Sequence, residues 1–138
     1  MDDMGTFRTT VELEHHVHRG RRVAIRDALV DAGAETTWVP GDVLDGLGVE
    51  VERTEMYRMA DGRVLTRDVG FVIVHVAGRT TTDQVVFGHA NDLTILGARS
   101  MEGLNLRVDP RTRQLVSAGP IVAAAAGPTD RSSAPTPR

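Results

Sequence analysis

The 138-residue sequence has no cysteine and no lysine, and only 4% of its residues are aromatic. The lack of cysteine excludes disulfides and thiolate metal sites. No apolar run approaches the ~20 residues that a membrane-spanning helix needs. The acidic start, MDDMGTFRTT, has no apolar core of the kind found in signal peptides. With a formal net charge of -3, we expect a cytoplasmic protein with no nucleic-acid and no membrane partner.

The length and composition predict one globular domain. Hydrophobic residues make up 41% and charged residues 25% of the chain, values that are ordinary for a soluble domain of this size. The composition changes to Ala, Gly, Pro, Ser and Thr from Gly119 onward, which is typical of disorder. We therefore predict a flexible N-terminus over residues 1–5, a folded domain over residues 6–118 and a disordered tail over residues 119–138.

Short β-prone runs separated by turn residues predict an all-β domain. Apolar and polar residues alternate over residues 6–18, and Asp61-Gly62 is a strong hairpin signal. Two segments favour short helices, residues 40–47 before Gly48 and residues 98–104. About eight strands and a final hairpin are expected in a closed or sandwiched arrangement. The strands are placed at residues 6–18, 23–30, 37–39, 49–59, 64–69, 71–76, 80–87 and 93–96, and the hairpin at 106–116.

One acidic residue follows an apolar strand directly. Asp31 comes after the apolar residues 28–30 and is followed by the small residues Ala32, Gly33 and Ala34. The strand end would give the carboxyl dry surroundings, and the small residues would allow a tight turn. The structural alternative is that Asp31 only caps this turn, because Asp and Gly are common in turns.

Three segments resemble those of retropepsin-like (clan AA) aspartic proteases. ALVDAGAETTWVP, residues 28–40, is similar to the active-site segment of that family. EMYRMADGRVLTRDVGFVIV, residues 55–74, has the length and turn of the flap, and VVFGHANDLTILGARSMEGL, residues 85–104, resembles the later segment in which two apolar residues and a Gly precede a short helix. The segments occur in the family's order within residues 20–117. The resemblance implies a retropepsin-like closed β-barrel with a flap hairpin and one or two short helices.

The same resemblance implies an aspartic endopeptidase without a cofactor. Because the chain has one such Asp segment, the resemblance implies a homodimer, in which Asp31 from each copy holds a water that attacks a peptide or protein substrate. Two carboxyls that hold one water between them are too close for both to ionise, so the ionised one acts as base and the protonated one as acid. The expected flap tip comprises Met59, Ala60, Asp61, Gly62 and Arg63. The candidate substrate-pocket residues, which would otherwise belong to the core, are Val85, Phe87 and Ile95.

The chain departs from the family pattern at two positions. Ala32 stands where the family has Thr or Ser, so the hydroxyl that locks the family's dimer is missing, at a cost of ~1 kcal/mol for each hydrogen bond. A second hypothesis is therefore a catalytically weak or inactive module that binds peptides or dimerises. Arg99 lies one position later than the family's Arg, and its predicted partner is Glu35, with two unrelated surface charges as the alternative.

The cluster ELEHHVH allows a competing metal hypothesis. On a continuous strand, alternate side chains would share one face and could converge on one ion; these are Glu12, Glu14, His16 and His18. We favour a solvated strand face and predict no metal site, because no other segment supplies the rest of a ligand set.

Overall fold

The structure is a computed structural model and describes residues 7–124. The predicted flexible start, residues 1–5, and the tail beyond residue 124 lie outside the described residues. The elements are β1 (Phe7–Glu14), β2 (Arg22–Val30), β3 (Thr37–Pro40), α1 (Gly41–Leu47), β4 (Arg53–Arg58), β5 (Val64–Val76), β6 (Arg79–Gly88), β7 (Ile95–Leu96), α2 (Ala98–Leu104), β8 (Leu106–Asp109) and β9 (Gln114–Ser117).

Seven strands form one sheet that bends into a ring. Their order is β1-β2-β7-β3-β6-β5-β4, and β1 also pairs with β5. The pairing runs from Glu12–His75 to Glu14–Ile73. Within residues 7–124, β4 is an edge strand of this sheet and pairs only with β5. β8 and β9 form a separate two-stranded sheet. The mostly β fold with two short helices is confirmed.

The core fills the inside of this ring and the space beneath the two helices. Alternate residues of the strands point inward, including Leu13, Val30 and Val74, all fully buried. α1 contributes Leu44 and α2 contributes Leu104. Each large aliphatic side chain buried in this way contributes about 1.5–3 kcal/mol, so burial inside the ring is a major source of the domain's stability.

A second, smaller apolar cluster lies on the opposite face of the sheet. It comprises Trp38, Val69, Val86 and Ile95, with Tyr57, Met59, Leu65 and Ala34 packed against it. Trp38 and Val86 are neighbours of core residues in sequence, and the two-residue period of a strand places them on the other side. This second cluster forms the floor beneath the β4–β5 hairpin.

Both predicted helices are confirmed. α1 ends at Gly48, which has φ 86° and the left-handed conformation that glycine favours at a helix end. α2 covers Ala98–Leu104 and ends at Asn105, also left-handed. No helix in residues 7–124 is long and apolar enough to cross a membrane.

Several strand predictions needed correction; β4, for example, begins at Arg53, four residues after the predicted start at Val49. β1 ends at Glu14, four residues early, because His15 starts a turn: its Nδ1 accepts hydrogen bonds from the backbone N–H groups of Val17 and His18, each at 3.0 Å. Residues 64–69 and 71–76 were predicted as separate strands but form the single strand β5. The strand continues through Gly70, where a side chain would collide with the backbone of Glu50.

Candidate active site

Asp31 lies at the end of a buried strand, on a tight turn. β2 ends at Val30, which is fully buried, and the N–H of Asp31 donates to the carbonyl of Leu96 at 3.1 Å. The Ala34 N–H closes the turn by donating to the Asp31 carbonyl at 3.1 Å. One carboxylate oxygen, Oδ1, accepts the Gly33 N–H at 2.9 Å. The carboxyl is therefore held by its own loop, and Oδ2 accepts no hydrogen bond from residues 7–124.

The loop after Asp31 packs against the start of α2. The N–H of Ala98 donates to the Ala34 carbonyl at 2.7 Å, and the N–H of Arg99 donates to the Glu35 carbonyl at 3.0 Å. Gly97 lies so close to the loop that an added Cβ would overlap the carbonyl of Thr36. The close approach of the backbones at Thr36 and Gly97 therefore requires glycine at position 97.

A chain of buried hydroxyls fixes this contact from below. The Gly97 N–H donates to Thr37 Oγ1 at 3.0 Å, and Ser100 donates its proton to Asp83 Oδ2 at 2.8 Å. Thr37 Oγ1 and Ser100 Oγ are 2.6 Å apart. Since the Ser100 proton is committed to Asp83, Thr37 is the donor between the two hydroxyls. Every polar group of this layer is then satisfied, as buried polar groups require.

A cleft of about 720 Å³ lies between this loop and the β4–β5 hairpin. The hairpin turn is closed by the Met59 N–H, which donates to the Arg63 carbonyl at 2.8 Å, and by the Gly62 N–H, which donates to the Met59 carbonyl at 2.9 Å. The residues that line the cleft are Asp31, Gly33, Ala34, Glu35, Thr36, Trp38, Arg53, Glu55, Met56, Tyr57, Arg58, Met59, Ala60, Gln84, Leu93, Ile95 and Arg99. The hairpin and Asp31 therefore line the same space.

The hairpin is tied to the cleft floor by one aromatic pair and one ion pair. The Tyr57 ring packs edge-on against Trp38, with centroids 5.3 Å apart. On the returning strand, Arg67 lies over Trp38 and binds Asp92 through two hydrogen bonds of 2.7 and 3.0 Å. The Arg67 guanidinium lowers the pKa of Asp92, and Asp92 raises that of Arg67. Both side chains are nearly buried, so the base of the hairpin is firmly held.

The structure brings together six of the twelve residues predicted for the site. Asp31, Gly33 and Ala34 share the cleft with the hairpin residues Met59 and Ala60 and with Ile95. Ala32 is exposed on the loop. At the tip, Arg63 binds the Asp61 carboxylate at 2.7 Å, and a backbone hydrogen bond from Arg63 is the main cause of the lowered pKa of Asp61. Asp61, Gly62 and Arg63 are exposed and do not line the cleft.

Two predicted pocket residues belong to the core instead. Val85 and Phe87 are buried inside the ring with Val39 and Leu96. On β6, Gln84 lines the cleft and Val86 belongs to the cluster beneath it. The strand alternation identified the right strand but could not tell its inner face from its outer face.

The predicted side-chain link between Arg99 and Glu35 is absent from residues 7–124; the two residues are joined through their backbones. Sequence reasoning also missed the contributions of Trp38, Tyr57, Arg67 and Asp92. Their contacts join segments that are far apart in the chain, and no local pattern marks them. The one available signal was composition, since Trp38 and Tyr57 are the only Trp and the only Tyr in the sequence.

The residues of the metal hypothesis do not converge on one point. The strand ends at Glu14, whose carboxylate is buried and binds Arg19, the Gly20 N–H and His75. These hydrogen bonds, with that from Arg19 the largest, lower the pKa of Glu14 to about 2. Within the described part of the chain, no group of three or more His, Cys, Asp or Glu side chains is arranged to hold a metal ion.

Comparison with known proteins finds similarity among solved structures. No protein-family model matches the chain, and no curated protein sequence matches it. Among solved structures, it is similar to the solution structure of Simian Foamy Virus (mac) protease, with 22% sequence identity and a TM-score of 0.46. The similarity covers 68% of this chain and 92% of that one.

Proposed function

We propose that the chain is an aspartic endopeptidase that acts as a homodimer, with Asp31 of each copy forming the catalytic pair. The observation that carries the proposal is the position of Asp31, at the end of a buried strand and in the lining of a cleft that the β4–β5 hairpin also lines. The tight small-residue turn that follows, with Ala32 and Gly33 exposed, leaves space for a second copy of the same loop.

The chemistry needs two carboxyls around one water. In a two-fold symmetric dimer, the same residue meets itself across the axis. Two Asp31 carboxyls at about 3 Å would share one proton, because like charges so close cannot both ionise. The ionised member would take a proton from the water as it attacks the peptide carbonyl, and the protonated member would hydrogen-bond that carbonyl. The two apparent pKa values would then describe the pair of side chains and not either Asp31 alone.

The substrate would bind as an extended strand beneath the hairpin. β4 is an edge strand, paired with β5 on one side only within the described residues. An extended peptide can pair with such an edge, and its alternate side chains then enter the cleft. The hairpin tip, with Met59 and Ala60 on the cleft side, would act as a flap that excludes water once the peptide is bound.

The experiment is a cleavage assay with an isosteric control. Wild-type protein and Asp31→Asn are incubated with casein at about pH 5, where one carboxyl of such a pair is protonated, with and without pepstatin. We expect cleavage by the wild type alone, inhibited by pepstatin. Cleavage that persists in Asp31→Asn would remove Asp31 from the mechanism.

The second candidate is a peptide-binding or dimerisation module without catalysis, and Ala32 favours it. Alanine cannot donate the hydrogen bond that Thr or Ser would give to a partner loop, which weakens a dimer by ~1 kcal/mol for each bond lost. Peptide binding without cleavage by either protein would support this module over the hydrolase.

A further inference from the structure

The cleft contains a buried hydroxyl that has no hydrogen-bond partner. Tyr57 lies on β4, and its OH is shielded from solvent without a partner in residues 7–124. A buried polar group left in this state costs about 1–3 kcal/mol. An acceptor brought by a ligand, which would enter as the hairpin lifts, would recover this energy.

An unpaired cation lines the same cleft. The Arg99 side chain is exposed, and no hydrogen bond or ion pair binds its guanidinium within residues 7–124, although its backbone N–H is held by Glu35. Burial raises the pKa of Tyr57, and the charge of Arg99 acts in the opposite direction. Both Tyr57 and Arg99 line the same cleft.

The other charges near Tyr57 are already paired. Arg53 Nε binds the Glu55 carboxylate at 2.6 Å, and its Nη2 binds Gln84 at 2.8 Å. Arg53 and Glu55 therefore largely cancel each other. Asp31, Glu35 and Arg58 also line the cleft. The Arg99 guanidinium and the Tyr57 hydroxyl both donate hydrogen bonds, so one acceptor with several lone pairs would satisfy both.

We propose that Tyr57 and Arg99 form a subsite that binds a carboxylate of the peptide. A carboxylate accepts several hydrogen bonds at once and pairs well with a guanidinium. The group could be the side chain of Asp or Glu, or a free C-terminal carboxylate. The inference rests on the proposed function in taking a peptide as the ligand, and it assigns the peptide's charge preference to these two residues.

The test measures peptide binding without cleavage. Asp31→Asn is titrated with acetylated, amidated octapeptide pools in which one position is fixed as Glu or Gln and the others are mixtures of Ala, Leu, Val and Phe. A further pair of pools contains no fixed residue and ends in a free carboxylate or an amide. Trp38, the only tryptophan, packs against Tyr57, so its fluorescence reports occupancy.

We expect the Glu pool to bind about ten-fold more tightly than the Gln pool at one position, which corresponds to ~1.4 kcal/mol. If the pool with a free C-terminal carboxylate shows this gain over its amidated counterpart instead, the subsite binds the C-terminal carboxylate of the peptide. Adding Arg99→Gln should reduce the ratio to below about two-fold, and adding Tyr57→Phe should reduce it in part. The matched control is Arg107→Gln, an exposed arginine on β8, which should leave the ratio unchanged.

Equal binding of all matched pools, or no binding of any pool, would overturn the subsite. If the difference in affinity between the matched pools is unchanged by Arg99→Gln, the role of Arg99 in the subsite would be overturned. These outcomes are independent of catalysis, because the binding ratio is measured in Asp31→Asn. A wild-type protein that cleaves nothing would reject the proposed hydrolase but would not change the binding ratio.

Discussion

The hydroxyl oxygens of Thr37 and Ser100 lie 2.6 Å apart in the buried layer beneath the Asp31 loop. Thr37→Val removes one of them at almost constant volume and leaves the Gly97 N–H without an acceptor. We expect the free energy of unfolding to fall by about 1–3 kcal/mol, because a buried donor loses its partner. Urea unfolding followed by Trp38 fluorescence measures this.

Thr82→Val is the matched control for that substitution. Thr82 lies on β6 with its side chain exposed, so its replacement should change stability by no more than about 0.5 kcal/mol. Equal changes in the free energy of unfolding for the two substitutions would show that the buried hydroxyls do not help to hold the Asp31 loop against α2.

Gly97 has no room for a side chain. A Cβ there would overlap the backbone of Thr36, so Gly97→Ala must displace either the loop or α2. We expect a loss of about 1–3 kcal/mol or more, together with loss of any cleavage activity. Gly46→Ala in α1 is the control, since its added Cβ meets no atom outside the local helix backbone within 4 Å in residues 7–124; it should stabilise the protein by roughly 0.5–1 kcal/mol. A stable, active Gly97→Ala protein would contradict the close approach.

Glu14 should make the fold sensitive to acid. Its pKa falls from 4.5 to about 2 on folding, so its ionised form stabilises the native state fully above about pH 4.5, and this contribution is lost as the pH falls towards 2. Glu14→Gln should lower the melting temperature at pH 7 and flatten its decline between pH 4.5 and 2. Glu12→Gln removes the carboxylate of an exposed pair with Arg22 and should have a much smaller effect. Parallel pH curves for Glu14→Gln and the wild type would contradict the role of Glu14.

The sequence was sufficient to predict the elements that local chemistry decides. The Asp61-Gly62 turn, both helices and the strand leading to Asp31 depend on neighbours in the chain, and the structure has each of them. The end of β1 could not be predicted, because alternation continues through His15 while the side chain of His15 bonds across to the Gly48 carbonyl at 3.1 Å.

The cleft depended on long-range contacts and was predicted only in part. A two-residue period shows that Val85 and Phe87 share a face, but not that this face is the inside of the ring. The Arg67–Asp92 pair and the Trp38–Tyr57 contact each join a hairpin strand to a distant segment. Such contacts depend on the tertiary arrangement of the sheet, in which β1 also pairs with β5.

The most direct test of the central claim is to mix wild-type protein with Asp31→Asn, let the subunits exchange, and measure cleavage at constant total protein. If each active site needs Asp31 from both copies, activity falls with the square of the wild-type fraction, to about one quarter in an equal mixture. Activity of about one half in that mixture would mean that each chain works alone, and would contradict the shared pair.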